Sequence, residues 1–352
     1  MPNLLASLGW DADLDNCFLA HRPDCVPARV VRVDRGGAQV LAADGPHRLT
    51  WGAAVLAAAA SDTPCTGDWV AMRHWPDGRT TAEALLPRRT AVTRLAAGRA
   101  AVRQVLAANV DTVAVVEPLV PEPDLGRLER LLVLGWESGA LPVVVLTKTD
   151  LAPDAKLVAA DVARAAPGVE VHLVSALQDG GAASLSAHAA TGRTLALLGP
   201  SGAGKSTLVN ALAGTDVMAI SQLRGDGKGR HTTTHRELVL LPAGGVVVDT
   251  PGLRSVGLAG EAGGVAAAFP DVEELAAHCR FRDCRHESEP GCAVLAAVES
   301  GDLDARRLDA WHKLLREARY MQRRSDARLR AEERARWRKV TMDNRRHQRV
   351  RP

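Results

Sequence analysis

The 352-residue chain has no apolar run approaching the roughly 18 residues that a membrane-spanning helix needs, so no association with a membrane is expected. Its first residues, MPNLLASLGWDADLD, lack a basic stretch followed by an apolar core and a small-residue cleavage site, which speaks against secretion. Six unevenly placed cysteines are too few to staple a chain of this length, and a reducing, cytoplasmic home is the default. No internal repeat of solenoid period is visible. What is left, 46% hydrophobic and 24% charged residues, is the composition of ordinary globular structure, and the length predicts two or three domains.

The formal net charge of +3 hides an uneven distribution. Between Arg306 and Pro352 there are 17 basic and 6 acidic residues, which leaves 27 basic and 35 acidic residues in the rest of the chain. A tail this basic can neutralise phosphates and release their counterions, so that binding would weaken with salt. The same residues on a solvated helix face would do nothing specific.

From Val26 to about Arg89, the segments PARVVRV, AQVLA, HRLTW, DWVAMRH and TTAEALL are separated by turn residues. Five short strands so spaced predict a small β-barrel or sandwich, with an oligonucleotide-binding (OB) barrel one member of that class. From about Gln104 to Gly260 the chain alternates apolar runs (DTVAVV, LPVVVLTK, VEVHLVSA, TLALLG, GGVVVDT) with helical segments such as LGRLERLLVLGWESG and KSTLVNALAG. That alternation predicts an α/β domain with a mostly parallel sheet. Beyond Gly260 the pattern turns helical, and Leu308, Trp311, Leu315 and Ala318 fall at a spacing that gives one apolar face. Three domains are expected: residues 1–90 with the barrel, 91–260 with the α/β fold, and 261–352 with the helices and the basic tail.

Gly199, Pro200, Ser201, Gly202, Ala203, Gly204, Lys205 and Ser206 fit GxxxxGK[ST], and Thr207 follows. The strand TLALL precedes them and a helical run succeeds them, the context in which glycines let backbone N–H groups turn inward around a β-phosphate. Lys205 is then expected to reach the β- and γ-phosphates, and the Ser206 hydroxyl to bind Mg²⁺. Asp249 closes the strand GGVVV, placed to hold Mg²⁺ through water, and Gly252 follows with an N–H for the γ-phosphate.

The base is predicted by Thr147, Lys148, Thr149 and Asp150 after one strand and Ser175 and Ala176 after another. The Asp150 carboxylate can accept from guanine N1–H and its exocyclic amine, whereas adenine offers an acceptor at N1 and no amine beside it, so GTP is expected over ATP. The stem of Lys148 would cover the base, and the Ala176 N–H would meet guanine O6. The usual first residue of this motif is Asn; Thr147 replaces its amide with a hydroxyl, which can still make one of its hydrogen bonds. The base-reading motifs precede the phosphate loop, and this order implies a circularly permuted GTPase. The chain after Asp249 and Gly252 then runs straight into the C-terminal helices, so nucleotide state could move them.

Cys279, Cys284, His286 and Cys292 form C-x4-C-x-H-x5-C. Three thiolates and an imidazole suit a closed, structural Zn²⁺ site. Cys17, Cys25 and Cys65 are scattered and read as small hydrophobes.

Together the barrel with GDWV (Gly67 to Val70), QVLAANVDTV, TKTD, GPSGAGKST, RHTTTH, DTPG and the cysteine pattern resemble the circularly permuted, ribosome small-subunit-dependent GTPase family. The match covers most of the chain. The resemblance implies a cytoplasmic late assembly factor, expected as a monomer, that cycles between GTP and GDP. It would bind the small ribosomal subunit and its rRNA through barrel and zinc modules, with low GTPase activity when free and stimulation by that subunit. A nucleotide-dependent RNA-binding module with little turnover is the alternative.

Leu253 stands where many GTPases place a water-orienting Gln, and a leucine cannot do this. The Gly-rich segment RGDGKGRHTTTH suits a switch loop, in which one of Thr232, Thr233 or Thr234 would close on Mg²⁺ and His231 would help orient water. A solvated loop histidine with no such role is the other reading of His231.

Overall fold

The computed structural model describes residues 4–58, 63–95, 103–178, 180–217, 236–250, 257–258 and 262–325. Two short helices, α1 (Leu4–Ser7) and α2 (Ala12–Phe18), come first, the second capped by Asp11, whose carboxylate accepts from the N–H groups of Asp13 and Leu14. Strands β1 (Val26–Asp34), β2 (Gly37–Ala42) and β3 (Gly45–Trp51), helix α3 (Ala53–Ala58), and strands β4 (Trp69–His74) and β5 (Thr80–Leu85) follow. The five strands close into a barrel in the order β1-β2-β3-β5-β4. Closure leaves no open edge. Alternate residues, among them Ala28, Val30, Val40, Leu49, Val70 and Met72, fill its interior.

A two-stranded hairpin, β6 (Ala91–Leu95) with β7 (Arg103–Ala108), leads into the sheet elements β8 (Thr112–Pro118), α4 (Leu125–Glu137), β9 (Leu141–Thr147), α5 (Ala155–Ala165), β10 (Val171–Leu173), β11 (Thr194–Leu198), α6 (Lys205–Ala213), β12 (Glu237–Leu240) and β13 (Val246–Asp249). Six of these strands form one sheet in the order β10-β9-β8-β11-β13-β12, parallel except for β12 on the edge. Every residue of β8 and β11 is buried because both faces of the sheet are covered. Val113, Val115, Ala196 and Leu198 pack toward the layer with α4, and Ala114, Val116, Leu195 and Leu197 toward the layer with α6. The expected strands are all found; the hairpin β6–β7 and the edge strand β12 are additions.

Helices α7 (Ala262–Ala268), α8 (Pro270–Ala276), α9 (Ala293–Ser300) and α10 (Ala305–Ser325) end the described chain. Leu308, Trp311, Leu314 and Ala318 are buried in the same hydrophobic core as α4, whereas Leu315 lies half-buried at its margin. Ion pairs lock the packing: Glu129 on α4 accepts from Arg306 at 3.0 Å and Arg307 at 3.1 Å, and Arg307 also reaches Asp271 at 2.5 Å. The basic tail beyond Ser325 lies outside the described residues. Among the described residues no helix is long and apolar enough to cross a membrane. Of the three scattered cysteines only Cys65 is buried; Cys25 is half-buried and Cys17 exposed.

Barrel and sheet meet around Arg29, a fully buried guanidinium on β1. It donates to the carbonyls of Leu8, of Gly67 at 3.3 Å and of Asn109 at 3.0 Å, and to the Thr194 hydroxyl at 2.9 Å. Burial holds its pKa down to about 10. One side chain thus joins the N-terminal helices, the barrel and the start of β11.

Candidate functional site

Because β8, β9, β10, β11 and β13 run parallel, the loops after their C-terminal ends gather along one edge of the sheet. Motifs that lie apart in the chain meet there: Thr147–Asp150 after β9, Ser175 and Ala176 after β10, the glycine-rich loop after β11, and Asp249 at the end of β13.

The phosphate loop connects β11 to α6. Gly199 lies so close to β8 that a Cβ would come within 2.2 Å of the Val116 carbonyl oxygen, and Gly204, at φ +89°, begins α6 in a left-handed conformation. Pro200, Ser201, Gly202 and Ala203 fill the turn, with Ser201 and Gly202 exposed and Ala203 buried. Lys205 Nζ donates to the carbonyls of Gly199 at 3.0 Å and Pro200 at 2.8 Å, which holds the ammonium against the loop. Burial pushes its pKa below the usual lysine value, against the attraction of Asp249 and Glu117. Ser206 Oγ lies 3.4 Å from Asp249 Oδ2, so a hydroxyl and a carboxylate stand together where a phosphate-bound cation would need them. Thr207 is half-buried in the first turn of α6. Thr250 donates to the Leu197 carbonyl at 2.7 Å and pins the end of β13 to β11.

On the base side, Thr147 Oγ1 donates to the carbonyl of Ala203 at 2.6 Å. The residue that departs from the motif therefore ties the base loop to the phosphate loop. Ser175 Oγ donates to Asp150 Oδ1 at 2.7 Å, which orients the carboxylate. Lys148 adopts a left-handed backbone at φ +62°, and its ammonium donates to the Val120 carbonyl at 3.0 Å. Thr149 begins a short 3-10 turn with Asp150, and Ala176, half-buried, follows Ser175.

Sequence reasoning missed Glu117, a buried residue of β8 held bidentately by Arg127 at 2.7 and 2.6 Å. Burial pushes its carboxyl up, and the Arg127 guanidinium opposes that shift. A carboxylate closing the apolar run DTVAVVEP was the available signal, since a charge there must be paired. Gly252, Leu253, His231 and Thr232 to Thr234 lie outside the described residues.

Away from the sheet edge, one ligand atom from each of Cys279, Cys284, His286 and Cys292 lies within 4.8 Å of the others. Cys279 Sγ is 3.8 Å from Cys292 Sγ and 3.5 Å from His286 Nδ1, and His286 Nδ1 is 3.3 Å from Cys292 Sγ. A tetrahedral ion with bonds of about 2.0 Å to nitrogen and 2.3 Å to sulfur separates its ligand atoms by roughly 3.3–3.8 Å, so the four can hold one metal ion. His286 reaches inward from a left-handed backbone at φ +60°, and Cys292 caps α9 by accepting from Leu295 N–H at 3.4 Å. Burial works to raise the Cys279 thiol, but the N–H groups of Val294 and Ala293 overcome it and the net direction is down. Burial and the neighbouring thiols push Cys284 up to about 11.

The family model for RsgA GTPase matches residues 85–259. A curated protein of Streptomyces coelicolor named small ribosomal subunit biogenesis GTPase RsgA is 50% identical over 333 residues, spanning 93% of this chain and 90% of its own. The crystal structure of YjeQ from Thermotoga maritima superposes with a TM-score of 0.60 at 25% identity, covering 83% of this chain and 98% of that one. That of YloQ, described as a circularly permuted GTPase, does so with a TM-score of 0.60 at 25% identity, covering 85% and 96%. In keeping with a phosphate-loop strand, β11, that follows β8, β9 and β10 in the chain yet lies inside their sheet, this protein belongs to the RsgA GTPase family and is a circularly permuted GTPase.

Proposed function

We propose that the chain binds GTP at the sheet edge, engages the small ribosomal subunit during its late maturation, and uses hydrolysis to permit release. The observation that supports this reading is the pair of hydrogen bonds joining the loops, Thr147 to Ala203 and Ser175 to Asp150, at one edge of the sheet. In this reading the loop from Gly199 to Thr207 surrounds the phosphates, Lys205 neutralises β- and γ-oxygens, and Asp150 accepts from the guanine edge while Ala176 N–H donates to O6. Ser206 and Asp249 would hold Mg²⁺, which supplies positive charge to the phosphates when bound. Gly252 would donate to the γ-phosphate and His231 would help orient the attacking water in place of the residue at Leu253. Cys279, Cys284, His286 and Cys292 are a donor set suited to Zn²⁺ in a structural role.

The small subunit enters through the relatives' names and through the charge distribution, since the positive end of an otherwise acidic chain has the right sign for rRNA phosphates. The test is multiple-turnover phosphate release with and without purified small subunits. Stimulation is expected; an unchanged rate would remove the ribosomal part of the proposal and leave a nucleotide-dependent binding module. Unaltered stimulated turnover and nucleotide affinity in His231→Ala would remove that residue from the mechanism.

A further inference from the structure

A second group of metal-ligating side chains lies at the start of β10, near the first residue of β8, and shares no residue with the candidate nucleotide site or the cysteine cluster. Glu170 precedes β10, His172 lies within it, and His188 sits in the connection from β10 to β11. His172 Nε2 is 3.4 Å from Glu170 Oε1 and His188 Nε2 is 3.6 Å from Glu170 Oε2, and the two imidazole rings meet edge to face at 5.2 Å.

These distances exceed the roughly 2.7–3.2 Å of an N–H···O hydrogen bond. They match the separation of about 3.3–3.6 Å between ligand atoms that share a tetrahedral ion with bonds of 2.0–2.2 Å. His172 is only 7% exposed, and its Nε2 has no hydrogen-bond partner among the described residues. A buried ring nitrogen facing a carboxylate and a second imidazole is aimed at something those groups could share. His188 is also prepared from behind: its Nδ1 lies 3.4 Å from the Thr112 hydroxyl, an arrangement that leaves Nε2 as the ligating nitrogen. Glu170, with 63% of its side chain exposed, gives an ion access from solvent.

We propose that Glu170, His172 and His188 form a site for one divalent ion of the zinc, cobalt or nickel class. Two imidazoles select such an ion over Mg²⁺ or Ca²⁺, which prefer all-oxygen surroundings, and three protein ligands leave a position for water. The ion links β10 to the segment entering the phosphate-loop strand, and so closes the loop that carries Ser175 and Ala176. Ser175, three positions after His172, orients Asp150. Occupancy therefore restrains the loop that reads the base, by removing conformations its ends would otherwise explore.

The full-length chain, dialysed against Zn²⁺ and freed of unbound ion by gel filtration, is assayed for zinc by elemental analysis. Two ions per chain are expected in the wild type and one in the double variant Glu170→Gln/His188→Ala. One is also expected in Cys284→Ser, with the remaining ion lost when the three changes are combined. Glu170→Gln alone, at an exposed position that leaves folding intact, should weaken the second ion at least tenfold, and Thr112→Val should weaken it by about 10- to 100-fold. Two ions retained in the double variant would overturn the proposal, as would a single ion in the wild type that Cys284→Ser abolishes. A single ion that survives Cys284→Ser but not the double variant would support this site and count against zinc at the cysteines.

Discussion

The candidate nucleotide site draws its residues from loops far apart in the chain and the cysteine cluster from one short segment, and the two hold their shape by different means. The cleft rides on a sheet whose central strands are buried on both faces, and its loops bond to one another: Thr147 to Ala203, Ser175 to Asp150, Thr250 to Leu197. Between Cys279 and Cys292 the chain forms only turns and bends, and its ligand atoms crowd together. A region knit by its own hydrogen bonds should tolerate loss of its ligand, whereas a region whose donors converge on an ion should not.

Metal removal is the strongest way to break that contrast. Chelation, or Cys284→Ser, should destabilise the C-terminal helices by on the order of 5 kcal/mol, because the loop would lose the ion on which its four donors are proposed to converge. Trp311 lies 5.5 Å from His286, so tryptophan fluorescence should follow the loss. GTP binding should persist in Cys284→Ser, which leaves Glu170, His172 and His188 untouched. A cleft that loses nucleotide together with the helices would show that the two regions are one cooperative unit.

Within the cleft, Lys205→Ala should lower turnover by about 10²–10³-fold, the loss expected when one preorganised positive group is removed from a phosphoryl-transfer site. Folding stability should stay the same or rise, since a buried ammonium held by carbonyls is costly to desolvate. Single-turnover rates read the first effect and thermal denaturation the second; an unchanged rate would exclude Lys205 from the phosphate site. Asp150→Ala comes next. Loss of two hydrogen bonds to a charged acceptor, at about 1.5 kcal/mol each, predicts a GTP affinity roughly 10²-fold weaker. ATP affinity should be unchanged, and an equal loss for both nucleotides would mean that Asp150 supports the loop without reading the base.

The legible parts were those whose physics is local in sequence. Runs such as TLALL and LPVVVLT announce strands buried on both faces, and a glycine-rich turn between strand and helix announces a phosphate site. The strand β12, ELVL, is short and half-buried at a sheet edge, so its pattern carries little signal. Arg29 sits in PARVVRV, where alternation reads it as solvent-facing; its partners Asn109 and Thr194 lie far along the chain, and only the packed barrel and sheet bring them together. Leu314, one position from Leu315, shows how a helical stripe can be recognised while its centre is misplaced by one residue. The cysteine cluster was legible because its ligands fall within one short segment. The pairing of His172 with His188 was not, because the long connection from β10 to β11 has to fold back before the two rings meet.

Thr147 gives the smallest expected effect and the sharpest probe of how the cleft keeps its shape. Its hydroxyl is the donor that joins the base loop to the buried Ala203 segment, with the Glu117 carbonyl at 3.5 Å. Valine preserves the volume and β-branching and removes only that donor, leaving the Ala203 carbonyl without it at a cost of about 1–2 kcal/mol. The expected result of Thr147→Val is a GTP affinity about 5- to 30-fold weaker, with the zinc content of the cysteine cluster unaltered. Equal affinity in calorimetry would show that the loops hold their relation without this bond, and that sheet packing, rather than loop-to-loop hydrogen bonding, distinguishes the sheet edge from the cysteine cluster. Weaker affinity together with lost zinc would instead place Thr147 in a folding unit that includes both.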